Sequence, residues 1–137
     1  MKARTSFVSN SSSSCFIVDC GDAGQVERTM AKAIAGFLDE RDGQDSDAHF
    51  AKALNAVRHD FDIFVLDRKM PKKRLQKRLH YAVVENYVKE DDWGKVMVAD
   101  RFENSLDARF GRLLNERIHV EDAVAEAFNG TFPRRLF

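Results

Sequence analysis

Residues 63 to 66 read IFVL, a short apolar run with Asp62 before it and Asp67 after it. A continuous run of this length is typical of a strand that is buried on both faces. Two further runs have the same character, Cys15 to Asp19 (CFIVD) and Lys95 to Ala99 (KVMVA). The sequence therefore predicts about three buried strands, spread along most of the chain.

Helical periodicity occupies the stretches between these strands. The predicted helices cover residues 24–40, 50–61, a stretch that begins at Pro71, 106–118 and 121–128. For residues 81–88, YAVVENYV, periodicity does not decide between helix and strand. Because neighbouring parallel strands need crossover connections, the alternation predicts an α/β fold, with a small mostly parallel sheet of about three strands packed by roughly four to five helices.

Length and charge limit the classes of protein to which this chain can belong. A chain of 137 residues is long enough for one domain with a packed core, and 44% of its residues are hydrophobic. The 22 basic and 22 acidic residues cancel, which removes any long-range attraction to nucleic acid or to an anionic membrane. We divide the chain into a polar N-terminal arm (1–14), a single α/β domain (15–130) and a C-terminal tail (131–137).

Neither a membrane span nor a secretion signal is predicted. No apolar run approaches the ~20 residues that a transmembrane helix needs. Lys2 and Arg4 are followed by serine and asparagine instead of an apolar signal core, so we expect an intracellular protein. Cys15 and Cys20 would lie too far apart along a strand to form a disulfide, and we expect two reduced thiols, one of them buried.

The highest density of charge lies in residues 68–78, RKMPKKRLQKR, where seven of eleven side chains are basic. Such a patch is suited to the phosphates of nucleic acid or to an acidic protein surface. The alternative is a solvated helix face balanced by the acids that follow it. No aromatic residue interrupts the run, so base stacking is not predicted. The candidate partner-binding residues in this run are Arg68, Lys69, Lys72, Lys73 and Arg74.

No arrangement of residues indicates a catalytic or metal site. The four histidines are scattered, and the sequence contains neither a G-x-S-x-G turn nor a glycine-rich phosphate loop. Nothing in the pattern assembles a nucleophile, a base and a group that orients the base. We therefore predict a protein that is not an enzyme and that uses no cofactor or metal.

Residues 62–71, DIFVLDRKMP, resemble the phosphoacceptor strand of response-regulator receiver domains, in which an aspartate ends a buried strand and Met-Pro follows. The resemblance implies that Asp67 would accept the phosphoryl group as a carboxylate nucleophile. Asp19, at the end of the first strand, would be one of the two acids that hold Mg²⁺ in this family. Cys20 stands at the second acidic position, with Asp22 as the nearest substitute, and Asp100 stands where the family has a lysine. This resemblance implies a degenerate receiver-like regulatory module with Asp67 as its switch position.

A second resemblance concerns residues 7–16, FVSNSSSSCF. They resemble an FVSNSSSSSF signature at the N-terminus of small phage and bacterial proteins that have no assigned activity. Cys15 stands where that pattern has a fifth serine. The resemblance implies a phage or bacterial setting and does not imply a mechanism.

The serine tract is suited to a solvated arm or an adaptable extended segment, since serine hydroxyls bond readily to nearby backbone. Phe7 and Phe16 flank the tract, and Phe132 and Phe137 lie in the tail, so these four are candidate anchors on partner proteins. We therefore expect a non-enzymatic phage protein, a virion-associated or assembly subunit that acts through its terminal arms in an oligomeric assembly. Its expected location is the cytoplasm of an infected bacterium or the virion. The alternatives are the receiver-like module and a small phage accessory protein that binds a host enzyme.

Overall fold

A computed structural model of the chain describes residues 15–69, 88–101, 109–111, 117–128 and 134–135. Its elements, in chain order, are β1 (Cys15–Val18), α1 (Ala23–Asp42), α2 (Ser46–Asp60), β2 (Phe61–Val65), a 3-10 turn (Glu90–Asp92), β3 (Val96–Asp100), α3 (Arg117–Phe128) and β4 (Arg134–Arg135). The three predicted strands and the first two predicted helices are confirmed, and α3 begins earlier than predicted. The helix predicted after Pro71, the undecided stretch 81–87 and most of the helix predicted at 106–118 lie outside the described residues.

Local chemistry accounts for the bounds of α1 and for its connection to α2. The Asp22 side chain caps α1, because its Oδ1 accepts a hydrogen bond from the backbone N–H of Gln25 at 3.2 Å. Gly43 ends the helix with a φ of +95°, a conformation that glycine adopts without strain. Asp39 near the end of α1 then accepts hydrogen bonds from the Asp45 N–H (3.1 Å) and from the Ser46 hydroxyl (2.8 Å). The short turn therefore directs α2 back along α1.

The sheet is antiparallel, which contradicts the prediction of a mostly parallel sheet. Its strand order is β2-β3-β1-β4, and every neighbouring pair is antiparallel. β3 pairs over four positions with β1 and over five with β2, whereas β4 is a two-residue strand on the outer edge of β1. The part of the chain that the structure describes holds three α-helices, not the four to five that were predicted.

The connection between β2 and β3 is the reason that the prediction was wrong. β1 and β2 do run in the same direction, since each is antiparallel to β3, but β3 lies between them. The pairing of β2 with β3 continues beyond Val65 through two backbone hydrogen bonds of 2.8 Å, from Leu66 N–H to Lys95 O and from Gly94 N–H to Leu66 O. The chain therefore leaves β2 and returns to β3 at the same end of the sheet, which reverses the strand direction.

Both faces of the sheet are buried. The larger core lies on the face that α1, α2 and α3 cover, and it includes Phe16, Val98 and Phe61 from the strands. The opposite face carries a smaller cluster of Ile17, Phe64, Leu66 and Met97, against which Val88 and Trp93 pack. Burial on both faces explains the continuous apolar runs, because neither face needs alternating polar residues.

Candidate functional site

The serine tract joins the sheet next to the C-terminal segment of the chain. β1 begins at Cys15, directly after the tract, and β4 pairs with it through Phe16–Arg135 and Ile17–Arg134. Because the pairing is antiparallel, β4 points toward the end of β1 at which the tract joins. We call the paired strands β1 and β4 the terminal edge, since β1 directly follows the serine tract in the sequence and β4 belongs to the C-terminal segment.

A group of charged side chains lies at the same end of the sheet, where α2 runs into β2 without a loop. Asp60 is the last residue of α2, and its carboxylate accepts two hydrogen bonds from Arg109, Nε to Oδ2 at 2.8 Å and Nη2 to Oδ1 at 2.7 Å. His59 Nδ1 lies 2.9 Å from Oδ1 of the same carboxylate. We call His59, Asp60 and Arg109 the junction cluster.

The strands extend this arrangement of charges beyond the junction cluster. The backbone N–H of Arg101 donates to the Asp60 carbonyl at 2.9 Å, which continues the β2–β3 pairing by one step. The Arg101 guanidinium lies 3.7 Å from the buried Asp62 carboxylate. Each of the two buried acids at this end of the sheet thus lies beside an arginine, as buried carboxylates require.

The surroundings of Asp60 favour the ionised form of its carboxyl group. Burial alone raises the pKa of its carboxyl, but the hydrogen bonds from Arg109 and with His59 outweigh burial and hold the pKa below its ordinary value. The same pair raises the pKa of the Arg109 guanidinium. Asp60 and Arg109 therefore form a fixed ion pair at neutral pH.

The short segment 109–111 is held from two sides. Arg109 binds Asp60 at the end of α2, and Arg41 at the end of α1 donates from Nη1 to the carbonyls of Phe110 (2.5 Å) and Gly111 (2.7 Å). Phe110 itself is buried in the larger core. The two arginines and one aromatic side chain thus fasten this segment to the helical layer.

His59 and Asp60 have the composition of a general-base pair, but their geometry indicates a different role. Arg109 Nη2 lies 3.1 Å from His59 Nδ1, the same nitrogen that faces Asp60. That nitrogen cannot both accept from Arg109 and donate to Asp60, so the carboxylate does not fix one tautomer as it does in a catalytic dyad. The contacts are those of a structural clamp.

The opposite end of the sheet carries Asp67 and Asp19 of the receiver resemblance, whereas Asp100 pairs with Phe61 at the junction end. Asp67 is exposed just after β2, and its Oδ1 accepts from the backbone N–H of Lys69 at 2.9 Å. Asp19 follows β1 at the same end, because Val18 and Val65 both pair with Val96. The antiparallel order of these strands differs from the doubly wound parallel sheet of receiver folds.

The first residue of the basic run is engaged within the chain. The Arg68 guanidinium pairs with Glu90 and lies over the Trp93 ring, 5.5 Å from its centroid. Lys69 is exposed. Lys72, Lys73 and Arg74 lie outside the described residues. The described start of the basic run thus agrees with the alternative interpretation, in which nearby acidic residues balance a solvated basic face.

Of the four candidate aromatic anchors, the structure describes only Phe16. Phe16 is buried in the larger core and pairs through its backbone with β3 and β4, so its side chain stabilises the domain and is not available to a partner. The other three, Phe7, Phe132 and Phe137, lie outside the described residues. Of the two cysteines, Cys15 is buried as predicted and Cys20 is half-buried, and neither forms a disulfide.

Neither a metal-binding cluster nor a membrane-crossing helix is present in the described part of the chain. Within those residues, no group of three or more histidine, cysteine, aspartate or glutamate side chains is arranged to hold a metal ion. None of the helices described there combines the length and the apolar character that crossing a bilayer needs.

Inspection of the sequence did not identify the junction cluster. Asp60 and Arg109 are 49 positions apart, and each looks like an ordinary surface charge in its local context. The only local signal is that Asp60 falls where a predicted helix meets a predicted strand, a position at which a side chain is often covered. That signal does not identify the partner.

The chain matches no known protein family, and neither the curated proteins nor the solved structures contain a significant match to it. Functional inference therefore rests on the described residues and on the two resemblances in the sequence.

Proposed function

We propose that this chain is a non-enzymatic protein-binding subunit that joins an oligomeric assembly through the segments at its two ends. The observation that carries the proposal is the terminal edge. Cys15, the first residue after the serine tract, belongs to the strand with which the C-terminal β4 pairs. The strand that follows the serine tract and the strand of the C-terminal segment thus lie side by side in the sheet.

The contacts of the charged residues favour a binding role over a catalytic one. At the junction cluster, Asp60 and Arg109 neutralise each other and hold the segment 109–111 against the helices. At the opposite end, Arg68 is balanced by Glu90. Together with equal numbers of acidic and basic residues, these pairs favour protein partners over nucleic acid.

The resemblance of the serine tract to the phage and bacterial signature suggests where this binding takes place. On its resemblance we propose a phage protein, a virion-associated or assembly subunit that works in the infected bacterium or in the particle. The receiver-like alternative is weakened by the antiparallel sheet, although Asp67 is exposed at the end of its strand. The accessory-protein alternative shares the same terminal edge and differs only in binding a host protein.

Limited trypsin digestion with mass spectrometry tests the proposal on the unaltered chain. Trypsin sites lie in both end segments, at Arg4 and at Arg134–Arg135, and Lys52 on the exposed side of α2 serves as the internal control. We expect cleavage at the terminal sites to slow at high protein concentration while cleavage at Lys52 does not change. Equal cleavage at all concentrations would contradict self-assembly. Protection that appears only after a host extract is added would favour the accessory-protein alternative.

A further inference from the structure

We infer that the outer edge of β1 is a strand-acceptor site, which in the assembly takes the C-terminal segment of a second copy of this chain in place of the chain's own β4. This inference rests on the proposed function, because it names the partner that the terminal edge binds. The occupant is specified by its chemistry: an extended segment that forms main-chain hydrogen bonds with β1.

The two sides of β1 are paired to different extents. On its inner side β1 pairs with β3 at all four of its positions. On its outer side, in the part of the chain that is described, β4 pairs with Phe16 and Ile17 only. A two-residue strand supplies few main-chain hydrogen bonds, so an equivalent strand can replace it at little cost.

β1 is preformed as an acceptor. Its four side chains are between 1% and 4% exposed, and three of them, Phe16, Ile17 and Val18, belong to the two cores on either side of the sheet. Both cores also contain side chains of β3, and the larger core contains side chains of the helices. An incoming strand therefore needs to provide only backbone donors and acceptors, which is the mode of recognition known as strand addition.

The chain's own sequence identifies the incoming strand. Arg134 and Arg135 already occupy this edge in a defined antiparallel register, so the same residues of a second copy would form the same pairs. Exchange of an identical element between copies gives up no pairing and is a low-cost route to association. From Phe128 at the end of α3 to Arg134 there are six residue steps, which can span up to ~20 Å.

The test compares molar mass, by size exclusion with light scattering, for three full-length chains over a range of concentrations. The double substitution Arg134→Pro with Arg135→Pro removes both backbone N–H groups of β4, whichever of them pairs with β1. The matched control, Arg134→Ala with Arg135→Ala, removes the same side chains and keeps the N–H groups. We expect multiples of 15.6 kDa for the unaltered chain and the alanine control, and 15.6 kDa for the proline variant.

A second measurement does not depend on how well the proline variant folds. A synthetic peptide with the sequence of residues 131–137 (TFPRRLF) is added in excess to the assembled, unaltered chain. We expect it to reduce the mass toward that of one chain, and we expect a peptide with prolines at positions 134 and 135 to have no effect. A peptide of residues 7–14 serves as the competing occupant.

The outcomes separate this inference from the proposed function. If the folded proline variant assembles as fully as the unaltered chain, the strand exchange is wrong and assembly through the end segments stands. If the peptide of residues 7–14 dissociates the assembly and that of 131–137 does not, the N-terminal arm occupies the edge and the inference is overturned. If the unaltered chain has the mass of one chain at every concentration, both the inference and self-assembly fail.

Discussion

Replacing Arg109 with alanine should lower the free energy of unfolding by about 2–3 kcal/mol. The substitution removes two charge-assisted hydrogen bonds, of 2.8 and 2.7 Å, from the carboxylate of Asp60. The Asp60 side chain is 2% exposed, so its charge would remain in the interior without its main partner. Breaking a fully buried pair in this way typically costs ~3–5 kcal/mol. We expect less here because the Arg109 side chain is 37% exposed and His59 still faces the carboxylate.

Equilibrium unfolding in urea at neutral pH, followed by circular dichroism, measures this loss. For a chain of this size the midpoint of thermal unfolding should fall by about 10 °C. The matched control is Arg58→Ala on α2, the helix that ends at Asp60. Its Nε donates to Glu27 at 2.7 Å, but the side chains of this pair are 59% and 23% exposed, so we expect a loss of at most ~1 kcal/mol.

The comparison of the two arginines decides whether burial of the acid matters. Equal losses of unfolding free energy at Arg109 and Arg58 would refute the reasoning. The individual hydrogen-bond distances are nearly the same, but Asp60 is buried and accepts two such bonds, whereas Glu27 is more exposed and accepts one from Arg58. A double variant provides a second check. Asp60→Asn combined with Arg109→Ala removes both charges, so it should be less destabilised than the sum of the two single variants.

Three further predictions follow from the contacts described above. Because its pKa is held below the ordinary value, Asp60 contributes stability that is fully present above about pH 4 and is lost as the pH falls through the lowered pKa. Urea titrations at several pH values measure the free energy of unfolding of the unaltered chain and of Arg109→Ala. The difference between these two free energies should narrow below about pH 4, and a difference that does not depend on pH would contradict the account. Gly36→Ala should stabilise the chain by about 0.5–1 kcal/mol in thermal unfolding, since the added Cβ meets open space in the middle of α1. Gly43→Ala is its control and should destabilise instead, because its φ is +95°. Phe64→Ala should cost about 3–5 kcal/mol in urea unfolding if the second face of the sheet is a true core, and a loss near zero would show that it is not.

The sequence was informative where the structural signal is local. The run IFVL and the two runs like it predicted strands because burial on both faces leaves an uninterrupted apolar segment. The spacing of the apolar residues in α1 likewise located that helix to within two residues at either end. Strand direction has no such signal. It was decided by the return of the chain from Leu66 to Lys95 at one end of the sheet, a contact between distant positions.

The candidate site shows the same limit. The serine tract marks one end segment from its composition alone, but nothing in TFPRRLF indicates that Arg134 and Arg135 pair with β1. Phe16 was interpreted as an anchor because it flanks the tract. Both faces of the sheet are buried, however, so Phe16 lies in the larger core and Ile17 in the smaller one. The pairing of Asp60 with Arg109 could not be predicted, because a buried charge looks like any other charge until the segment that covers it is known.

The most direct test of the central claim is the molar mass of the unaltered chain in solution, measured by light scattering as its concentration is raised. The account predicts that the mass rises above 15.6 kDa toward whole multiples of that value, because the end segments of one copy bind the terminal edge of another. A mass of 15.6 kDa at every concentration would contradict it.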